Sequence, residues 1–307
     1  MFFFILAFSF NQPKFCPTAD WNPHGITFVN HTSVGNRPNV LFINKNNTFY
    51  SFNREKNVVL MWINNSINPV KINSTSNSIG DSYSMFVTTI GDIYIDNGRN
   101  YSRVDKLTLN TNTFNKVMSV GSSCFSLFID INDTLYCSLF NEHIIIKRWL
   151  NNNQMSSTIA AGTEGYGSAS NQLRSPMGIF VDINFDLYVA DCGNDRIQLF
   201  QFKKLNGKTL VGNGSLDNTN SLKCPSGIVL DNDKYLFIVD HGNHRIIRWG
   251  LNSFRCLAGC NSEGSQSDQL SLPFSLSFDS YGNIFVTDSG NDRIQKFNFI
   301  NKSCGKY

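Results

Sequence analysis

Three carboxylate–guanidinium pairs recur in the second half of the chain: Asp191 with Arg196, Asp240 with Arg245, and Asp288 with Arg293, each five residues apart. An active site is one asymmetric constellation, whereas a group present in every copy of a repeat belongs to the scaffold. These pairs are therefore expected to cap turns and bond locally, not to turn over substrate or bind calcium. The histidines are His24, His31, His143, His241 and His244. His143 and His244 hold equivalent repeat positions and read as structural. His241 takes a variable turn position that is Cys192 and Ser289 in sister copies, and is expected on an exposed loop. The eight cysteines include no Cys-x2-Cys, and Cys256-x3-Cys260 has no His or Cys pair nearby to complete a zinc site. No Gly-x-Ser-x-Gly, His-Glu-x2-His or phosphate-loop motif occurs. No catalytic residue, metal or cofactor is expected on these grounds.

The elements that must carry these residues follow from composition and spacing. In 307 residues, 41% are apolar and only 16% charged, against a globular norm of about 25% charged. Polarity comes instead from 40 asparagines, and 26 Phe with 10 Tyr favour pleated surfaces. A net charge of +3 lacks the basic excess of a nucleic-acid-binding domain, so no nucleic-acid partner is expected. The apolar run Met1–Phe10 is too short to span a bilayer and matches a secretory leader with cleavage after Ser9. Stable membrane insertion is not expected. An even cysteine count fits an oxidising compartment, and N-glycosylation sequons stand at Asn30, Asn46, Asn64, Asn73, Asn100, Asn132, Asn213 and Asn301. A secreted, disulfide-bonded glycoprotein is the expectation.

The repeat is plain over 155–300. Pro176-Met177-Gly178-Ile179 … Leu187-Tyr188-Val189-Ala190-Asp191-Cys192-Gly193-Asn194-Asp195-Arg196-Ile197 returns twice, once from Pro225 to Ile246 and once from Pro273 to Ile294. Weaker copies are in phase upstream, so that Tyr50, Tyr94, Tyr136, Tyr188, Phe237 and Phe285 anchor six units at intervals of 44, 42, 52, 49 and 48 residues. That interval suits a propeller blade of four short strands. Asn97-Gly98-Arg99-Asn100 and Phe140-Asn141-Glu142-His143 stand where Asp-x-Gly-Asn is expected in the weaker copies. Trp62, Trp149 and Trp249 recur at third-strand ends and read as packing between blades.

These units resemble the NHL-repeat family: Asn243-His244-Arg245-Ile246 is close to its signature tripeptide. The resemblance implies an all-β fold, a six-bladed β-propeller of four-stranded antiparallel blades. Peptidyl-hydroxyglycine lyases share this propeller type and hold zinc through histidines near the leading strands. Here Met177, Ser226 and Phe274 follow the leading prolines, and Pro23-His24-Gly25 offers a single His.

The division expected is a leader at 1–9, an N-terminal segment at 10–39 and the propeller at 40–307. The sixth unit is one strand short, and Gly25–Val29 is expected to lie antiparallel beside 293–299 and close the ring. That arrangement brings Cys16 towards Cys304, a candidate disulfide. Cys192 with Cys224 and Cys256 with Cys260 are the others. Cys124 with Cys137 is the least supported, because hairpin register sets Phe128 opposite Cys137. The expected contact face comprises Met177, Cys192, Asn194, Ser226, His241, Asn243, Phe274 and Ser289. The expected function is a non-catalytic extracellular module, monomeric, binding a protein, peptide or glycan. The alternative is a metal-dependent propeller enzyme, either like those lyases or lactonase-like.

Overall fold

The structure, a computed structural model, describes residues 9–63, 66, 68–72, 80–109, 111, 113–152, 156–163, 165–215, 221–250 and 253–300. Six four-stranded antiparallel sheets surround a channel. Their first strands, innermost in the ring, are Leu41–Ile43, Met85–Val87, Cys124–Ile129, Pro176–Val181, Pro225–Leu230 and Pro273–Phe278. The six aromatic anchors all fall in second strands. The strands Leu187–Asp191, Leu236–Asp240 and Ile284–Asp288 are buried along their whole length, since each blade packs on a neighbour through both faces. Low charge content follows from that double burial.

Turn chemistry repeats with the blades. On the lower face, Asp130, Asp182, Asp231 and Asp279 each accept the backbone N–H groups two and four residues on, capping the first hairpin. Asn44 does the same in blade one, and Thr88 accepts from Asp92 N in blade two. On the upper face, Asp191 accepts from Arg174 N, Asn194 Nδ2 and Arg196 Nε, and Asp240 and Asp288 repeat the set with their own Asn and Arg. Blades are also stitched to one another. The left-handed turn residues His143, Asp195, His244 and Asp292 accept the backbone N–H of Ser175, Cys224, Leu272 and Arg37, each 2.7–3.0 Å away and each just before the next blade's leading proline. The last of these stitches joins blade six to blade one, and Arg37-Pro38 thus counts with the later Pro-led starts.

The ring closes as the sequence suggests. Ile26–Val29 pairs antiparallel with Arg293–Phe297, Thr27 opposite Gln295, and supplies the fourth strand of blade six. Beyond it Asp20–Trp21 pairs with Phe299–Ile300. The preceding segment crosses the lower face. The buried Arg248 donates to the carbonyls of Cys16 and Pro17, Arg255 donates to that of Ala19, and Phe15 and Trp21 pack among Phe237, Phe278 and Phe299. The segment's start, Phe10, enters the channel and meets Phe86, Phe128 and Phe180 edge-on at 5.5–6.4 Å. Asn11 Nδ2 fixes it there by donating to the carbonyls of Asn44 and Phe278.

Three disulfides are present among the described residues: Cys192–Cys224, Cys256–Cys260 and Cys124–Cys137. The last corrects the register expected for that hairpin. A bulge between Cys124 and Leu127 places Leu127 opposite Cys137 and Phe128 opposite Tyr136, and leaves the two cysteine Cα atoms 5.2 Å apart. Cys304 lies outside the described residues, and the Cys16–Cys304 pairing with it; so do residues 1–8 of the expected leader. Trp149 also departs from expectation. Trp62 is 1% exposed and Trp249 packs against the core, but Trp149 is 54% exposed. It lies opposite Thr134 rather than an apolar Phe49 or Leu236, and its indole N–H turns to Asn132 O.

Candidate functional site

The first strands run from the upper face to the lower, and within two residues of the start of each a side chain lies at the channel mouth. Counting eleven back from every anchor gives Asn39, Tyr83, Phe125, Met177, Ser226 and Phe274, one per blade. All six line one cavity or join the apolar cluster at its rim. Around them lies a second ring, the variable positions of the upper turns: Arg54, Asn97, Phe140, Cys192, His241 and Ser289. The first strands can crowd the axis because blades four and five carry Gly178 and Gly227. A Cβ on Gly178 would stand 2.6 Å from Ser226 O, and one on Gly227 2.9 Å from Val239 Cγ2.

The mouth is amphipathic by sector. Over blades two and three Tyr83 stacks on Phe125 at 4.4 Å, and Phe125 stacks on Phe140 at 4.7 Å, forming a continuous three-ring platform. Met177 and the Cys192–Cys224 disulfide continue it, with Phe274 across the mouth 6.4 Å from Phe125. Arg54 caps the platform's outer end, its guanidinium 4.6 Å from the Tyr83 ring, and Asp81 bridges Arg54 and Arg99. The rest of the rim is polar but mostly committed. Ser226 Oγ donates to Phe274 O and Ser289 Oγ to Pro38 O, while Asn194 and Asn243 donate to Asp191 and Asp240.

His241 is half-buried rather than openly exposed, and leans on the edge of Phe274. Its Nδ1 lies 2.9 Å from Pro273 O, and a carbonyl can only accept, so Nδ1 carries the proton and Nε2 of the neutral ring is an acceptor. Burial pulls its pKa below the usual histidine value, against the opposing pull of the Pro273 carbonyl, so the ring is neutral at neutral pH. Asp96, beneath the platform, differs from its counterparts in later blades. It accepts backbone N–H groups from Tyr83, Gly98 and Cys124 but bonds no arginine among the described residues, and burial pushes its pKa up to about 7. This also corrects the reading of blade two. The turn is Asp96-Asn97-Gly98, led by Asp96, and it is two residues longer than its counterparts, so that Arg103 reaches Asp105 instead.

Below the mouth the cavity encloses about 110 Å³, and Phe10 closes its lower end. That volume is well under the roughly 300–1,000 Å³ of a cofactor or drug-sized pocket, and fits one inserted side chain. Among the described residues no group of three His, Cys, Asp or Glu side chains converges as a ligand set for a metal. Of the residues expected on the contact face, Met177, Cys192, Ser226, Phe274 and Ser289 are gathered at the mouth but buried, and His241 joins them there. Asn194 and Asn243 are spent on their own turns. The residues missed are Tyr83, Phe125 and Phe140, from the blades with the weakest repeat signal.

No family model matches the chain, and no curated protein matches it in sequence. Solved structures do match in shape. An auxiliary nutrient binding protein from Bacteroides thetaiotaomicron superposes with a TM-score of 0.68 at 14% identity, over 95% of this chain and 76% of that one. One from Bacteroides ovatus gives 0.65 at 12% identity, over 96% and 76%. Virginiamycin B lyase from Staphylococcus aureus gives 0.60 at 11% identity, over 92% and 100%. At such identities the likeness is one of fold.

Proposed function

We propose that the protein is a non-catalytic extracellular binding module of NHL-repeat type, and that its ligand is a protein or peptide that lays an apolar side chain on the upper channel mouth. The observation that carries this reading is the stacked platform of Tyr83, Phe125 and Phe140, faced by Phe274 and Met177 over a cavity sealed from below. Aromatic anchors in a concave, largely dehydrated setting are where binding energy concentrates. The Arg54–Asp81–Arg99 cluster and the His241 Nε2 acceptor supply polar selection at the rim. The three disulfides and the Met1–Phe10 run support an oxidising, extracellular setting, and neighbours of the same ring shape named as nutrient binding proteins are consistent with a binding role.

A display library of random peptides, panned against the purified chain, tests the proposal. Selected peptides are expected to share an aromatic or long aliphatic residue and to lose binding by tenfold or more to Phe125→Ala, with far-UV circular dichroism unchanged. Selection of peptides indifferent to Phe125→Ala and Phe274→Ala would sink it.

A further inference from the structure

We infer that Asn132 carries an N-linked glycan and that Trp149 is the platform on which its first sugar lies. The inference rests on the extracellular reading above. Asn132-Asp133-Thr134 forms the tip of the first hairpin of blade three on the lower face, opposite the channel mouth just described. The turn is rigid: Asp130 Oδ1 accepts the N–H groups of Asn132 and Thr134, and Asp133 takes a left-handed conformation. Asn132 is exposed, and its side-chain amide and the Thr134 hydroxyl have no partner among the described residues. A glycan on Asn132 Nδ2 therefore displaces no hydrogen bond of the folded turn.

The neighbouring tryptophan identifies the occupant. Trp149 Nε1 donates to the carbonyl of Asn132 itself, 3.1 Å away, so the indole is pinned by its edge beside the glycan acceptor, and more than half of it is left to solvent. The indole borders a groove of about 430 Å³ that Phe185 and Phe202, rings 5.4 Å apart, also line. Phe185 has φ of 64°, at a turn position where the other five blades place Asn47, Gly91, Asp133, Lys234 and Gly282. A bulky ring is costly there, and such strain persists where it serves a purpose. Aromatic rings suit the C–H faces of pyranose rings, and Lys147, which also lines the groove and has no partner among the described residues, offers a donor to sugar hydroxyl groups. Blade one shows the contrast. Its sequon at Asn46 sits at the same turn position, but Trp62 is buried and Asn47 is tied to Ser280.

The covalent step needs an oligosaccharide activated as a polyprenyl diphosphate and the secretory transferase that uses it. A bond forms between Asn132 Nδ2 and C1 of the first sugar, and the bond from that C1 to the diphosphate oxygen breaks. The diphosphate departs with the bonding pair, and one amide proton is released. Nothing is oxidised or reduced.

The full chain secreted from a eukaryotic host provides the test, by glycopeptide mass mapping and by thermal unfolding of wild type, Thr134→Ala, Trp149→Ala and the double variant. Asn132 is expected to be occupied on most chains. Thr134→Ala, which removes the sequon and keeps Asn132, should lower Tm by about 2 °C when Trp149 is present, leave it unchanged when Trp149 is Ala, and leave it unchanged in chains deglycosylated before unfolding, which separates the glycan from the direct cross-strand contact of Thr134 with Trp149. Occupancy at other sequons with Asn132 bare would overturn the inference and leave the extracellular reading standing. A secreted chain bare at every sequon would overturn the inference, and failure to enter the secretory pathway at all would overturn both. An equal effect of Thr134→Ala with and without Trp149 would remove the platform.

Discussion

Two side chains show how one residue's surroundings set its behaviour. Asp96 is buried with no cation bonded to it among the described residues, and its proton is held more tightly in the native chain than in the unfolded one, whose carboxyl titrates near 4. A carboxyl with a raised native pKa adds stability that is full below the unfolded value and is lost as pH rises through the native value, here about 7. Unfolding followed from pH 4 to pH 8 should therefore show a stability decrement across that window, flattened by Asp96→Asn. Retention of the full slope in that variant would assign it to other groups. His244 makes the second case. Its Nδ1 accepts Leu272 N, the task done by Asp195 and Asp292 one blade to either side. Replacement by Asp should leave stability within about 0.5 kcal/mol. Replacement by Ala should cost about 1–3 kcal/mol in denaturant unfolding, because Leu272 N–H is left without an acceptor.

At the level of the element, the closing strand does work that its sequence only half announces. Ile26–Val29 is short, but its place beside Arg293–Phe297 covers what would otherwise be an open sheet edge. A chain beginning at residue 30 should self-associate or precipitate, read by size-exclusion chromatography, and added peptide spanning 20–30 should restore the monomeric elution. Much of this level was legible: the anchors, the missing sixth-blade strand and two of the three disulfides follow from spacing. The mouth was legible only in part, because the turn motif is a poor ruler in the early blades. Blade two lengthens its turn by two residues, and blade three puts Leu139 where Asp191, Asp240 and Asp288 stand, which hid Tyr83, Phe125 and Phe140. The anchor position is the better ruler, since the inner-strand geometry around the channel is the constraint all six blades share. Bulges such as that at Cys124 shift register without leaving a compositional mark.

For the whole molecule, the decisive and least legible feature is the plug. A run of apolar residues reads the same whether it is a leader, a strand or a stopper. The role of Phe10 depends on meeting Phe86, Phe128 and Phe180, which the chain brings together only in the finished ring. Phe10→Ala should cost about 3–5 kcal/mol, the usual range for emptying a buried aromatic site, and should join the upper cavity to the lower face. Equilibrium unfolding measures the first effect. The second should appear as an additional xenon site beside Phe86, Phe128 and Phe180 in the variant, at the place the Phe10 ring fills in the parent.

The strand that closes the ring also imposes an order in time. Ile26–Val29 leaves the ribosome long before its partner Arg293–Phe297 is made. At about 5–20 residues per second the early strand waits on the order of 15–50 s for its mate. Through that interval blades one to five can stack, but Phe10 has no complete channel to stopper, and the aromatic face of Phe15 and Trp21 lacks Phe278 and Phe299. The nascent chain thus carries an unpaired apolar segment over residues 10–29 throughout that delay, an exposed surface of the kind that makes incomplete folds prone to aggregation.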